Sequence, residues 1–286
     1  MKITEILKQR DKGVSFEFFP PKTEAGKRSL ETTVKALKKY NPLYVSMTYG
    51  AAGGAQQRTK EAVIMLLKEK ELVVMPHLTG ICLEKKEVKN LLDEYRSKGI
   101  ENIMALRGDP PLDEEGFDFS KQEFCYGLDL VKFIKQYGQF CIGVAVYPEG
   151  HIETSSLEED LEYTKQKIDA GADFAVTQMF FDNTHYYGLL ERMNKKGITI
   201  PVLPGILPLT DVAKVKQFVS ICRTTIPKHI EEKMERYRKD LAEMEKIGVD
   251  FTIKQCQDLI KNGAKQLHFF TLNKPEVMKR ILDAIQ

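Results

Sequence analysis

Apolar and polar positions alternate along the chain in two rhythms. Short apolar runs of strand character fall at 14–19, 43–48, 72–78, 102–106, 140–147, 174–180, 200–203 and 266–272, eight in all. Between them the period lengthens to that of a helix. Val88, Leu91, Leu92 and Tyr95 give the cleanest stripe, and Gly99 stands where such a helix should stop. Gly138, Gly171, Gly197 and Gly263 close other helices in the same way, and Ser156 with Glu159 predicts a capping box. Eight strand–helix alternations without a Gly-, Ser- or Pro-rich linker predict an α/β fold, a single (β/α)8 TIM barrel over 1–286, in preference to an open Rossmann sheet. One segment exceeds that plan. From Pro227 to Gly248 the residues Ile230, Met234, Tyr237, Leu241 and Met244 recur at spacings of four and three, predicting an extra amphipathic helix near 227–247. Packing on its own barrel is its first expected use and a subunit contact, making a homo-oligomer, the second.

Composition narrows the partners. At 286 residues and 42% hydrophobic content the chain can bury a full core, and its net charge of only +2 is spread among acidic residues. No footprint for nucleic acid or a membrane surface results, so the expected partners are small molecules. Cys82, Cys125, Cys141, Cys222 and Cys256 show no C-x-x-C spacing, which predicts thiols in a reducing compartment. The amino-terminal segment is too charged for a signal peptide and no apolar run approaches the ~20 residues of a membrane span, so a cytoplasmic location is expected. The five histidines lack zinc-site spacing, which predicts no metal. Gly50-Ala-Ala-Gly53-Gly54 matches no phosphate-loop motif and reads as a rim loop, and neither Ser15 nor Ser46 has an adjacent His and acid to suggest a nucleophilic triad.

Chemistry in such barrels gathers on the loops after the strands. In 103–111 an apolar run ends in Arg107, Gly108 and Asp109, then two prolines: a cationic fork, a residue that lets backbone approach a ligand, and an acceptor at one rim. The ordinary alternative is a surface turn with a local Arg–Asp pair. Strand alternation puts Ser15, Glu17 and Phe19 on one face, with Phe16 and Phe18 on the other. If Glu17 faces the barrel mouth, apolar surroundings would disfavour its ionisation, which suits a general acid; a structural pair with Arg107 is the competing reading.

The motifs Phe-Glu-Phe-Phe-Pro-Pro-Lys-Thr, Val-Ser-Met-Thr-Tyr-Gly-Ala, Pro-His-Leu-Thr, Ala-Leu-Arg-Gly-Asp-Pro-Pro, Val-Tyr-Pro-Glu-Gly-His, Asp-Ala-Gly-Ala-Asp, Thr-Gln-Met-Phe-Phe-Asp, Pro-Gly-Ile-Leu-Pro and His-Phe-Phe-Thr-Leu-Asn occur in that order. As an ordered set they resemble methylenetetrahydrofolate reductases of the bacterial single-domain type. The resemblance implies a barrel holding noncovalent FAD that takes hydride from NADH or NADPH and, in ping-pong fashion, reduces 5,10-methylenetetrahydrofolate to 5-methyltetrahydrofolate. It makes Glu17 the proton donor and Asp109 the carboxylate between flavin and pterin. It assigns FAD contacts to Thr48, Tyr49, Ala51, His77, Arg107, Gly108, Asp109, Tyr126, Gly127, Tyr147, His151, Thr154, Asp160, Tyr163, Gln166 and Lys167. Gln178 matches a pterin-contacting amide, Phe218 an aromatic that stacks on nicotinamide, Lys274 a basic position near the folate tail, and Leu272 a further substrate contact. From the residues themselves, Asp160, Tyr163 and Lys167 fall at i, i+3 and i+7, a stripe that either faces water or sets Lys167 against a diphosphate and Asp160 against a ribose hydroxyl.

The chain also departs from that pattern. Lys214 replaces a frequent amide, Gln166 a basic residue and Phe270 a tyrosine. Lys214 and Phe218 share a helix face at i, i+4, so the electron donor is the feature most open to revision. A lysine there suits a phosphorylated nicotinamide, a protein electron carrier or plain solvent. The alternatives are a folate- and flavin-binding subunit fed by a partner protein, and a flavin-free pterin-binding barrel of the methyltransferase or synthase kind.

Overall fold

A computed structural model describes residues 1–49, 54–69, 71–110 and 117–285. Its parallel strands are β1 (Gly13–Phe18), β2 (Val45–Met47), β3 (Val74–Thr79), β4 (Asn102–Leu106), β5 (Cys141–Val146), β6 (Phe174–Thr177), β7 (Val202–Leu203), β8 (Gly205–Ile206) and β9 (Gln266–Phe270). They follow the order β7-β6-β5-β4-β3-β2-β1-β9-β8. β7 and β8 are two halves of one interrupted strand, only the first of which falls in the expected run 200–203; Pro204, which has no N–H to give a ladder, divides them. The first half pairs with β6 and the second with β9, so this segment closes the eight-stranded TIM barrel.

Around the strands run α1 (Ile3–Gln9), α2 (Glu24–Lys38), α3 (Gly54–Leu67), α4 (Lys85–Ser97), α5 (Gly127–Tyr137), α6 (Leu157–Asp169), α7 (Asn183–Lys195), α8 (Val212–Cys222), α9 (Lys228–Arg236), α10 (Leu241–Lys261) and α11 (Pro275–Ile285). The α4 stripe Val88, Leu91, Leu92, Tyr95 is buried as its period predicts. Gly99, Gly138, Gly171, Gly197 and Gly263 all take positive φ just past helix ends. The capping box at Ser156 forms by half: Ser156 accepts from Glu159 N, but the Glu159 carboxylate turns to Ser155.

Side chains alternate across each strand. Phe16, Phe18, Val45, Met47, Ile103, Ala105, Ile142 and Val144 point outward into the shell shared with the helices. A second cluster fills the barrel itself: Tyr44, Met75, Met104, Cys141, Phe174, Val176 and Leu203 meet Ile3, Ile6 and Leu7 of α1. The charged amino-terminal segment is therefore a plug. Ile3 N donates to Asn102 Oδ1 (2.7 Å), and Gln266 Nε2 donates to Leu7 O and Arg10 O, tying α1 to the strands' amino-terminal ends. The polar inward residues at this end, Asn102 and Gln266, are bonded to α1, which leaves the opposite mouth as the place for a site.

The 227–247 segment differs from the single helix its periodicity predicts. It breaks at 237–240 into α9 and α10, with Asp240 accepting from Glu243 N as a fresh cap. Tyr237 and Leu241, counted in the apolar stripe, are the two members left exposed at that break. Gly248 does not end the helix either. A Cβ there would lie 1.4 Å from Leu209 O, so the glycine lets α10 cross the segment after β8 at contact distance and run on to Lys261. Ile230, Met234, Met244 and Ile247 cover Leu207, Leu209, Val212 and Val215, which places the pair of helices against its own barrel. Among the described residues no helix is long and apolar enough to cross a membrane, and no group of three or more His, Cys, Asp or Glu is placed to hold a metal.

Candidate active site

Glu17 is the one carboxylate carried on an inward-facing strand position among the described residues, and it lies 6% exposed. Its Oε2 lies 3.4 Å from His268 Nε2 on β9 and 3.3 Å from His77 Nε2 on β3; the latter is near enough for charge attraction but lacks hydrogen-bond alignment. His268 is fixed in turn: its Nδ1 is 2.8 Å from Ser15 Oγ and 3.3 Å from Tyr44 OH, and its ring stacks on Tyr44. Burial pushes the Glu17 carboxyl up, but the charge of His77 and the hydrogen bond with His268 outweigh it and hold the group at about 2. The expected shift toward the neutral acid is thus reversed, because the pocket supplies two imidazoles as well as apolar walls. Arg107 takes no part here, so the Glu17–Arg107 pair is absent. Ser15 does join an imidazole and an acid, contrary to its sequence neighbourhood, yet it is fully buried and cannot meet a substrate as a nucleophile.

A second group stands across the mouth after β4 and β5. Arg107 forms a bidentate pair with Glu153 (2.6 and 2.7 Å) and lies 4.2 Å over the Phe119 ring, so the local pair with Asp109 does not form. Asp109 is exposed at the rim. Gly108 has φ +93, and a Cβ would sit 2.4 Å from Ile81 Cγ2 and 2.9 Å from Thr79 Cβ. On the Cβ side it packs against the protein's own wall. Gly127, at the start of α5, packs on the Arg107 backbone. Tyr147 meets His151 edge-on at 4.7 Å, and burial pushes its phenol up, with Asp160 and Asp109 adding to it. The buried Asp160 accepts from His151 N (3.1 Å), and its carboxyl is raised by burial against the pull of Lys167. Lys167 donates to Ala145 O (2.7 Å), and burial lowers its ammonium to about 8 although Asp160 opposes the shift. The same burial lowers the His151 imidazole. Thr154 is buried, with Oγ1 donating to His151 O.

Other expected positions take different partners. Tyr49 turns outward into the shell core, and Thr48 offers backbone, donating to Phe18 O and accepting from Thr59 Oγ1. Tyr126, Tyr163 and Gln166 are exposed, with Tyr163 OH donating to Glu159; the α6 stripe therefore divides, Asp160 and Lys167 inward and Tyr163 in solvent. Gln178 folds its amide oxygen onto Met179 N. Lys214 is exposed and paired with Asp211, and Phe218 is partly exposed one turn further on α8. Leu272 has φ +49 and packs on the cluster beneath α9, while Lys274 Nζ donates to Thr210 Oγ1. Ala51 and most of the Gly50–Gly54 loop lie outside the described residues. Sequence reasoning gave no role to His268 or Glu153; His268 could have been found as the ionisable member of the inward set 266, 268, 270.

These features have counterparts in known proteins. A profile of the family Methylenetetrahydrofolate reductase matches residues 2–286. The 5,10-methylenetetrahydrofolate reductase of Pectobacterium carotovorum subsp. carotovorum is 36% identical over 265 residues, covering 92% of this chain and 87% of that protein. That of Escherichia coli (strain K12) is 35% identical over 264 residues, with the same coverage. Methylenetetrahydrofolate reductase (NADH) 1 of Arabidopsis thaliana is 34% identical over 95% of this chain but only 48% of its own length. In fold the chain is similar to an uncharacterized protein from Clostridium thermocellum that binds two copies of 5-methyl-5,6,7,8-tetrahydrofolic acid (TM-score 0.67, 13% identity, 99% and 98% of the two chains). The family profile spans nearly every residue, and the bacterial relatives align along most of their own length: the chain belongs to the methylenetetrahydrofolate reductase family.

Proposed function

We propose that the chain acts over 1–286 as one catalytic unit that reduces 5,10-methylenetetrahydrofolate to 5-methyltetrahydrofolate, with FAD as bound cofactor and NADH or NADPH as hydride donor in ping-pong turnover. Family membership supports the reaction, and the observation that carries it to this site is Glu17, an inward-facing carboxylate at the barrel end opposite the α1 plug. The residues present fit the cofactor. Arg107 and Lys167 supply two cations, Asp160 an acceptor, and buried Ser46 Oγ, His77 Nε2 and Thr79 Oγ1 lack hydrogen-bond partners of their own. FAD, when bound, would accept hydride from nicotinamide and pass it to the folate carbon. Arg107 and Lys167 would hold its diphosphate, and Asp160 a ribose hydroxyl.

The methylene carbon becomes a good hydride acceptor once protonation opens the five-membered ring to an iminium cation. Glu17 would give that proton. Its low value belongs to the two imidazoles; a pterin covering them would strengthen desolvation and move the carboxyl toward the protonated form. Gln178 would orient the pterin, and Lys274 the tail's carboxylates. The test is the visible spectrum of purified protein: a flavin absorbance and release of FAD on denaturation are expected, whereas no bound flavin and no binding of added FAD would remove the reading. Release of FMN would remove only the adenine half.

A further inference from the structure

We propose that Glu153 is a built-in counter-ion of the cofactor site, holding Arg107 when the site is empty and giving it up to the ligand's phosphates. The inference rests on the FAD reading above, and begins from how completely Glu153 occupies the guanidinium. Both terminal nitrogens of Arg107 are committed to its two carboxylate oxygens, and one face of the group is covered by Phe119. An approaching diphosphate therefore has no bidentate grip on Arg107 until Glu153 leaves.

The two partners are unequal in a way that sets the direction of exchange. Arg107 has a side chain only 17% exposed, whereas the Glu153 side chain is 51% exposed. A cation so placed is costly to leave unpaired, while its partner can return to water on its own flexible stem. The backbone around Glu153 is meanwhile fastened on both sides. His151 N donates to Asp160 Oδ1, Thr154 Oγ1 donates to His151 O, and Arg223 Nη1 donates to His151 O and Thr154 O. Glu153 N itself donates to His151 Nδ1. Release is thus a side-chain rotation and leaves the loop in place. The carboxylate stabilises the empty site and competes with every anion that would fill it.

Removing the charge should therefore help the ligand. Apoprotein titrated with FAD, read by flavin fluorescence, should bind about 3–10-fold more tightly as Glu153→Gln and as Glu153→Ala than as wild type, with faster association in stopped flow. Equal affinity in all three proteins would overturn the proposal while leaving the flavin reading intact. Weaker binding by both variants would also overturn it, making Glu153 a support for Arg107 rather than its competitor. Failure of all three to bind FAD would overturn the flavin reading, and the counter-ion with it.

Discussion

On the side of the mouth formed by β1, β3 and β9, ionisable groups sit on strands and are sealed: Glu17, His77 and His268 are buried, and Ser15 and Tyr44 lock the last of them from behind. Across the mouth, Arg107, His151 and Glu153 stand on connecting segments, with Asp160 and Lys167 on a helix flank. The strand-borne groups are held in one geometry, and Glu17 among them is drawn down to about 2 by its neighbours. Loop-borne groups keep ion pairs that a ligand can exchange. On the proposed function, one barrel end would separate a part that transfers protons from a part that grips, and substitutions on the two sides should fail in different assays.

The strongest test of that division is Glu17→Gln. Glutamine keeps the size and part of the hydrogen bonding but carries no acidic proton. Flavin reduction by nicotinamide should stay near the wild-type rate while oxidation by methylenetetrahydrofolate falls by about 10²–10⁴, as rapid mixing of the two half-reactions would show. Equal slowing of both would make Glu17 structural. On the gripping side, Lys167→Met keeps the stem, removes the cation and leaves Asp160 without its counter-charge; FAD affinity should weaken roughly 10–100-fold, with the folate half-reaction of fully loaded enzyme little changed.

Phe218 lies outside both groups. Phe218→Ala should slow anaerobic bleaching of the flavin by NADH or NADPH about tenfold or less, with a smaller change in FAD affinity. If neither nucleotide bleaches wild-type flavin while a low-potential protein reductant does, the donor is a partner protein. The smallest expected effect concerns acid stability. Glu17 falls from 4.5 to about 2 in the folded protein, so its ionised form contributes stability above about pH 4.5 that is lost as the pH drops toward about 2. Glu17→Gln should flatten the Tm-versus-pH curve in that window by roughly 2–4 °C; an unchanged slope would show that the imidazoles do not hold the carboxylate.

Much of this architecture was legible in the chain because its period is local. Strand alternation put Glu17 on one face of its strand and Phe16 and Phe18 on the other, and helix-end glycines marked the helix stops. The break before α10 was not, since its apolar spacing runs on through Tyr237 and Leu241, and exposure rather than spacing distinguishes them. Nor was α1, whose seven residues are held by tertiary contacts with Asn102 and Gln266. In the site, types and positions could be read but pairings could not. Arg107 finds its carboxylate 46 residues away in Glu153 rather than two away in Asp109, and Glu17 meets His268 across 251 residues. Such partners are chosen by barrel closure, which no local pattern records.

That closure has a consequence of its own. Elsewhere neighbouring strands share registers of three residues or more, but at Val202–Ile206 each side is held by two, with Pro204 between them. The cylinder thus has a seam, the line along which it opens at least cost. His268 lies against the seam, paired with Gly205, while Glu17 lies one strand further in. Breathing along Val202–Ile206 would loosen the imidazole before the carboxylate, giving the most rigid half of the mouth its softest neighbour.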